Sequence, residues 1–265
     1  MSAPEWSRYL ADYHHANPGI TEVALGHASH PRVGSAYTWL ANAIPRQRHS
    51  GSGRQQSSDI MRERVLDIGC GSAPMQDVLP DARYLGVDGS QAELLAATAL
   101  GRGPVVSADA TQLPLRDACV DVAVMSMSLM LLPVPASLAE TQRVLRHGGL
   151  FAATVPALWP LSLADARTLL ALSLPLRGPG AMPQQLGARR LTRALTAAGF
   201  GNIVMDRKRF EFPLRSDADA DLAVRSLYTP GRTEQQLATA REKLRALAGQ
   251  SALPIPLLRV VATKR

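Results

Sequence analysis

Between residues 64 and 155 the chain alternates short apolar runs with helical patterns, and this alternation constrains the fold more than any other feature. The first runs end in a glycine cluster or an aspartate, as expected of buried strands that feed tight turns. Strand and helix in repeated alternation predict an α/β fold with a doubly wound, mostly parallel sheet. The predicted strands are Val65–Ile68, Tyr84–Val87, Val105–Val106, Val120–Met125, Leu150–Val155, Ile203–Phe212 and Leu257–Thr263.

The loop after the first predicted strand carries the most chemical information. The strand delivers Asp67, and Gly69 and Gly71 then let the backbone turn and approach a ligand closely. Pro74 suits the first turn of a helix, so we expect a helix N-terminus whose free N–H groups face the anionic end of a ligand. A dinucleotide fingerprint would place its third glycine at Pro74, which has no N–H, so a dinucleotide is disfavoured.

Five segments in order resemble the class I S-adenosylmethionine (SAM)-dependent methyltransferase family, over roughly Arg64 to Val155. The first is the acidic-x-Gly-x-Gly loop, and the second is the acidic residue that ends the next strand, one strand–helix–strand unit further on. These segments are Asp67-Ile68-Gly69-Cys70-Gly71, Leu85-Gly86-Val87-Asp88, Ala108–Leu115, Val120–Ser126 and Glu140–Leu150.

The resemblance implies a Rossmann-like fold of seven strands with helical lid insertions, SAM as cofactor, and no metal. It assigns Asp88 to the ribose, because an ionised carboxylate can accept hydrogen bonds from both hydroxyls. It assigns Asp109 to the adenine amino group and the fourth strand to the methionine end. The implied cofactor site consists of Asp67, Gly69, Cys70, Gly71, Asp88, Gly89, Asp109, Ala110 and Met125.

The chain departs from the family pattern at several positions. Ala73 replaces a frequent loop glycine, and Gly89 stands where a larger apolar residue usually flanks adenine. Met130, a candidate substrate contact, occupies a position where many members carry a histidine near the acceptor. The segment Ser126-Met127-Ser128-Leu129 lacks the Asn/Asp-Pro-Pro-aromatic motif, which argues against methylation of nucleobase amines.

Residues 2–16 are predicted to form an amphipathic helix with a capping box between Ser2 and Glu5. Its aromatic stripe has two interpretations. Tyr9 and Tyr13 could anchor the helix to the core, or the helix could fold over the cofactor so that both tyrosines contact the substrate. In the second case His14 or His15 is a candidate general base.

The chain is predicted to consist of three regions. Residues 1–45 form an N-terminal helical lid segment, residues 46–63 form a polar linker, and residues 64–265 form the SAM-binding domain. Two insertions in that domain, at about 156–187 and 216–248, are predicted to complete the lid.

Charge and cysteine content limit the partners. The net charge is +7, with 29 basic and 22 acidic residues, but the arginines are scattered and lack aromatic companions, so nucleic acid is an unlikely partner. Two cysteines cannot form a disulfide scaffold. With neither a signal peptide nor a membrane span evident, we expect a cytoplasmic protein, and the oligomeric state is not readable.

The leading hypothesis is methyl transfer to an O, N or C atom of a moderately apolar small molecule, such as a natural-product intermediate. Direct displacement needs alignment and exclusion of water more than a dedicated base. Three alternatives stay open: an RNA methyltransferase, suggested by the isoelectric point of about 10.0; a catalytically silent SAM-binding scaffold; and another SAM-dependent reaction, such as a cyclisation.

Overall fold

The computed structural model describes residues 1–44, 63–159, 161–163, 165–178 and 180–265. The strands in this part of the chain are β1 (Arg64–Ile68), β2 (Arg83–Asp88), β3 (Val105–Ser107), β4 (Val120–Ser126), β5 (Leu145–Pro156), β6 (Phe200–Pro213) and β7 (Ala252–Lys264). The helices are α1 (Ala3–Ala16), α2 (Ile20–His27), α3 (Ala36–Ala41), α4 (Met75–Val78), α5 (Gln91–Ala99), α6 (Val134–Val144), α7 (Asp165–Ser173), α8 (Ala188–Ala197), α9 (Asp217–Arg225) and α10 (Glu234–Arg245).

In the described residues, all seven strands join one sheet in the order β3-β2-β1-β4-β5-β7-β6. β1 to β5 pair in parallel, while β7 runs antiparallel to both β5 and β6. The predicted α/β fold with a mostly parallel, seven-stranded sheet is therefore confirmed.

The predicted elements match the observed ones closely, with differences at their ends. β5 begins at Leu145 rather than at Leu150, because a bulge opposite Val120 and Val122 lengthens its pairing with β4. α6 begins at Val134, and Pro135 lies in its first turn, where a proline is tolerated.

The N-terminal segment contains a helix that the sequence did not reveal. The predicted capping box of α1 is present, and Ser2 N–H donates to Glu5 Oε2 at 2.6 Å. Asn17 is the C-cap of α1, and Gly19, in a left-handed conformation at φ 74°, is already the N-cap of α2. A Pro-Gly pair thus separates two helices here instead of opening a loop.

Apolar residues fill three clusters around the sheet. Two of them pack on opposite faces of the parallel strands, one against α6 and α8 and the other against α3, α4 and α5. The third covers the antiparallel end, where Phe210 and Phe212 of β6 meet α7, α9 and α10. Both predicted insertions contribute to this third cluster.

The predicted division of the chain is only partly visible. Of the linker predicted at 46–63, all but Glu63 lies outside the described residues. None of the helices in the described ranges is long and apolar enough to cross a membrane.

Candidate active site

A cavity of about 960 Å³ opens at the carboxyl ends of the parallel strands. β1 pairs with β2 on one side and with β4 on the other, so the strand order reverses at this point. Ligands of open α/β sheets bind at such a reversal. The walls are the glycine loop after β1, the turns after β2, β3 and β4, the helix α1, and Tyr228.

The glycine loop requires its glycines. Gly69 and Gly71 adopt φ values of 68° and 55°, which favour residues without a Cβ. A Cβ on Gly69 would lie 2.5 Å from the Cβ of Ser128, so the loop passes the turn after β4 too closely for any side chain. Ala73 has φ 58°, a conformation that costs an alanine about 1 kcal/mol.

The predicted helix N-terminus after this loop is reduced to α4, which has four residues. The loop is held instead by side chains from elsewhere. Arg102 donates to the Ser72 carbonyl at 2.9 Å and to Glu22 at 2.8 Å, while the Ser72 hydroxyl donates to the same Glu22 carboxylate. The expectation that helix N–H groups receive an anionic ligand end stays a prediction, and the helix that would supply them has a single turn.

Asp88 is fixed at the cavity wall by two backbone amides. Gly71 N–H donates to its Oδ2 and Ser90 N–H donates to its Oδ1, both at 2.8 Å. Burial raises the pKa of the carboxyl group, although both hydrogen bonds oppose that effect. Since an ionised carboxylate offers about four acceptor positions, two remain for ligand hydroxyls.

Asp67 is more deeply buried than Asp88, and its carboxyl group has fewer hydrogen bonds. Its side chain is 1% exposed, Tyr84 Oη donates to its Oδ2 at 2.7 Å, and its Oδ1 has no hydrogen-bond partner among the described residues. Burial raises its pKa to about 7. Among the described residues no backbone N–H donates to this carboxyl group, and its hydrogen-bond partner is the Tyr84 hydroxyl.

The remaining predicted cofactor residues divide into two groups. Cys70, Gly89, Asp109 and Ala110 line the cavity, and Asp109 Oδ1 accepts hydrogen bonds at 2.8 Å from both the N–H and the hydroxyl of Thr111. Burial raises the pKa of the Cys70 thiol, which keeps it protonated and unreactive. Met125 is different: it is fully buried in the core, and the cavity wall on β4 begins at Ser126.

Of the residues predicted to contact or activate the acceptor, only some line the cavity. His14 and His15 line the cavity, but Tyr9, Tyr13 and Met130 do not. Tyr9 Oη accepts from the Thr229 N–H at 2.8 Å, and Tyr13 Oη donates to the Arg225 carbonyl at 2.7 Å.

The assignment of these three residues to the substrate is therefore corrected. Both tyrosine hydroxyls are used to attach α1 to the end of α9 and the turn after it, which is the anchoring alternative. Met130 faces the core because it lies in a single 3₁₀ turn, Leu129–Leu131, that packs under β5.

Two residues that the sequence did not single out complete the wall beside His14. Glu93 of α5 is 3% exposed, and its Oε1 lies 2.8 Å from His14 Nδ1. The hydroxyl of Tyr228 lies 3.1 Å from His14 Nε2. From sequence alone, Glu93 is an ordinary acidic residue in a first helical turn, and Tyr228 is far from every motif.

The cavity is acidic although the chain is basic. Its described lining includes no lysine or arginine. The carboxylates that line it are Asp12, Glu22, Asp67, Asp88, Glu93 and Asp109. In the described residues no group of three or more His, Cys, Asp or Glu side chains is arranged to hold a metal ion.

The first to fourth segments of the motif series contribute residues to the lining of this cavity, and the family comparison covers the same stretch. Residues 66–153 match the family model for a methyltransferase domain. These residues form a class I SAM-dependent methyltransferase domain. The domain of this methyltransferase uses SAM as its cofactor.

Solved structures share the fold of this methyltransferase. A chain from the complex between the Haloferax volcanii Trm112 methyltransferase activator and a methyltransferase superposes with a TM-score of 0.56, at 15% identity and 96% coverage of both chains. A SAM-dependent methyltransferase from Thermotoga maritima gives 0.54, at 15% identity, covering 96% of this chain and 99% of that one. The YcgJ protein from Bacillus subtilis gives 0.54, at 18% identity, covering 77% and 92%. The search of curated proteins found no match.

Proposed function

We propose that this methyltransferase transfers the methyl group of SAM to an uncharged or cationic small molecule, by direct displacement. The acidic cavity carries the proposal. Six carboxylates line it without a lysine or arginine among the described lining residues, in a chain whose net charge is +7. Such a wall repels phosphate or carboxylate groups on an acceptor and favours neutral or positively charged ones.

The same wall suits the cofactor, because its ammonium and sulfonium groups outweigh its one carboxylate and leave SAM with a net positive charge. Asp88 would accept hydrogen bonds from the ribose hydroxyls, Asp109 would face the adenine, and the buried Oδ1 of Asp67 is a free acceptor toward the cationic methionine end. Bound SAM would supply an electrophilic methyl group, which the acceptor's lone pair would take while the sulfur keeps the electrons of the broken sulfur–methyl bond.

The protein contributes alignment and exclusion of water. α1 lines the cavity and contributes Leu10 to its wall, while Leu131, Leu132 and Pro133 supply apolar surface after β4. An acceptor held between these surfaces is partly desolvated, which strengthens every electrostatic interaction inside the cavity. The apolar surface favours an acceptor with a hydrocarbon portion, such as a biosynthetic intermediate.

The alternative of RNA methylation is less well supported. Affinity for RNA comes mainly from contacts of Lys and Arg with phosphates, and such contacts are missing where the reacting group would lie, in the described lining. A silent scaffold remains a distinct outcome of the experiment below.

We propose the cytoplasm as the location and a small molecule, rather than nucleic acid or membrane, as the partner.

The experiment is a transfer assay with methyl-labelled SAM and three matched acceptor panels. The first contains neutral phenols, alcohols and amines, the second contains their carboxylated or phosphorylated analogues, and the third contains total RNA. We expect label in the first panel only. Label confined to RNA or to the anionic analogues would overturn the proposed acceptor class, and binding of SAM without any transfer would support the scaffold.

A further inference from the structure

Three side chains from separate elements form one hydrogen-bonded array at the cavity wall. His14 of α1 occupies the centre, with Nδ1 2.8 Å from Glu93 Oε1 of α5 and Nε2 3.1 Å from the hydroxyl of Tyr228, which follows α9. His14, Glu93 and Tyr228 all line the cavity.

When Glu93 is ionised and His14 is neutral, one assignment of the protons satisfies both hydrogen bonds of the array. A carboxylate can only accept, so His14 Nδ1 carries the proton that it donates to Glu93. Nε2 of the neutral ring is then an acceptor, and the Tyr228 hydroxyl donates to it. The other oxygen of Glu93 is also held in place, because Oε2 accepts a hydrogen bond from the Gly19 N–H at 2.9 Å.

We propose that Tyr228, His14 and Glu93 form a proton relay that removes a proton from the acceptor's O–H or N–H group during methyl transfer. The inference rests on the proposed function. The Tyr228 oxygen takes the acceptor's proton while its own proton passes to His14 Nε2, and the imidazolium that forms is stabilised by the Glu93 carboxylate. One proton leaves the acceptor and one arrives on His14, so the step balances without a further reactant.

The burial of the array suits this role. Burial raises the pKa of Tyr228, so its hydroxyl stays protonated and can pass a proton on rather than ionise in the resting protein. Other titratable groups around His14 and Tyr228 are Asp88 at the end of β2 and the α1 residues Tyr9 and Tyr13. Of these, Asp88 is the one that lines the cavity.

The first test needs no turnover. Nitrogen NMR of the full-length protein, with His14 assigned by its loss in His14→Gln, reports which ring nitrogen is protonated. We expect a proton on Nδ1 and none on Nε2 at alkaline pH, with and without S-adenosylhomocysteine. In Glu93→Gln the preference for this tautomer should weaken. A ring protonated on Nε2 in the wild-type protein would overturn the relay.

The second test compares kinetics with cofactor binding, for an acceptor found in the first panel. Tyr228→Phe and His14→Gln should each lower kcat by about 100- to 1,000-fold. Glu93→Gln should lower kcat by about tenfold and move the acid limb of its pH profile. Affinity for S-adenosylhomocysteine should change less than threefold. The control His147→Gln, at an exposed position in β5 outside the cavity lining, should behave like the wild type.

Two outcomes separate the relay from other roles. An acceptor that is already ionised at the assay pH should be methylated by Tyr228→Phe nearly as fast as by the wild type. A loss of S-adenosylhomocysteine affinity that matches the loss of kcat would make these residues cofactor ligands and overturn the relay. If the wild-type protein methylates no acceptor, the proposed function fails, whatever the NMR shows about the relay.

Discussion

The helix α1 and the segment at 156–187 look alike in sequence but differ in the structure. Both are helical, apolar additions to the parallel core, and both were expected to belong to a lid. α1 lines the cavity with six residues, whereas the described residues of 156–187 contribute none. That segment packs α7 against α10 and β7, on the antiparallel end of the sheet.

The difference follows from the polar side chains of the two segments. α1 places Tyr9, Tyr13 and His14 against partners beside the cavity. α7 begins with Asp165, whose carboxylate accepts from Arg209 of β6 at 2.6 and 2.9 Å. Apolar periodicity decides that each helix packs, and long-range hydrogen bonds decide where it packs.

Removal of residues 1–16 should show the largest effect and would sharpen this contrast. Without α1 the cavity loses a wall and His14, so we expect turnover to fall about a thousandfold. The sheet and its three clusters remain, so the melting temperature should fall by only about 5 °C. Steady-state kinetics and calorimetric melting measure the two quantities, and full activity of the shortened chain would show that α1 does not serve the reaction.

Asp165→Ala should have the opposite signature. It leaves Arg209 without its buried partner, so the free energy of unfolding at pH 7 should fall by about 2–3 kcal/mol, while kcat changes less than twofold. The exposed Asp217→Ala is the matched control and should change stability by less than about 0.5 kcal/mol. A large loss of kcat in Asp165→Ala, with stability retained, would place this segment in the site after all.

The same pair predicts a pH dependence. Hydrogen bonds from Arg209 hold the pKa of Asp165 at about 2, below its ordinary 3.8. A lowered folded-state pKa stabilises the protein fully above the ordinary value, and this stabilisation is lost as the pH falls toward 2. The gap in stability between the wild type and Asp165→Ala should therefore narrow below about pH 4 in urea titrations. A gap that is constant down to pH 2 would contradict the pairing.

The smallest effect is expected at Leu163, which is 97% exposed. Leu163→Ser removes apolar surface that touches little, so stability should change by less than about 0.5 kcal/mol and kcat not at all. If this substitution slowed turnover severalfold, the segment at 156–187 would cover the acceptor during the reaction.

Local sequence was sufficient to predict the strands and the residues that follow them. Gly69, Asp88 and Asp109 could be placed because each lies where a strand of the sheet meets a turn. Met125 could not, because one residue of register along β4 separates the core from the cavity wall at Ser126.

The polar array was beyond local prediction for a different reason. Glu93 and Tyr228 acquire their roles only through contacts with His14, which lies far from both in the chain. A local sequence pattern carries no information about contacts between residues that are far apart in the chain. The same limit explains why the sequence indicated helical additions but could not tell that the described residues of 156–187 lie outside the cavity lining.

The central claim is that the cavity binds an adenosyl cofactor through Asp88, and calorimetric titration with S-adenosylhomocysteine tests it most directly. The wild-type protein should bind one equivalent, and Asp88→Ala, with an unchanged circular dichroism spectrum, should bind at least about 100-fold more weakly, because charge-assisted hydrogen bonds are lost. Equal affinity of the two proteins, or no binding by the wild type, would contradict the account.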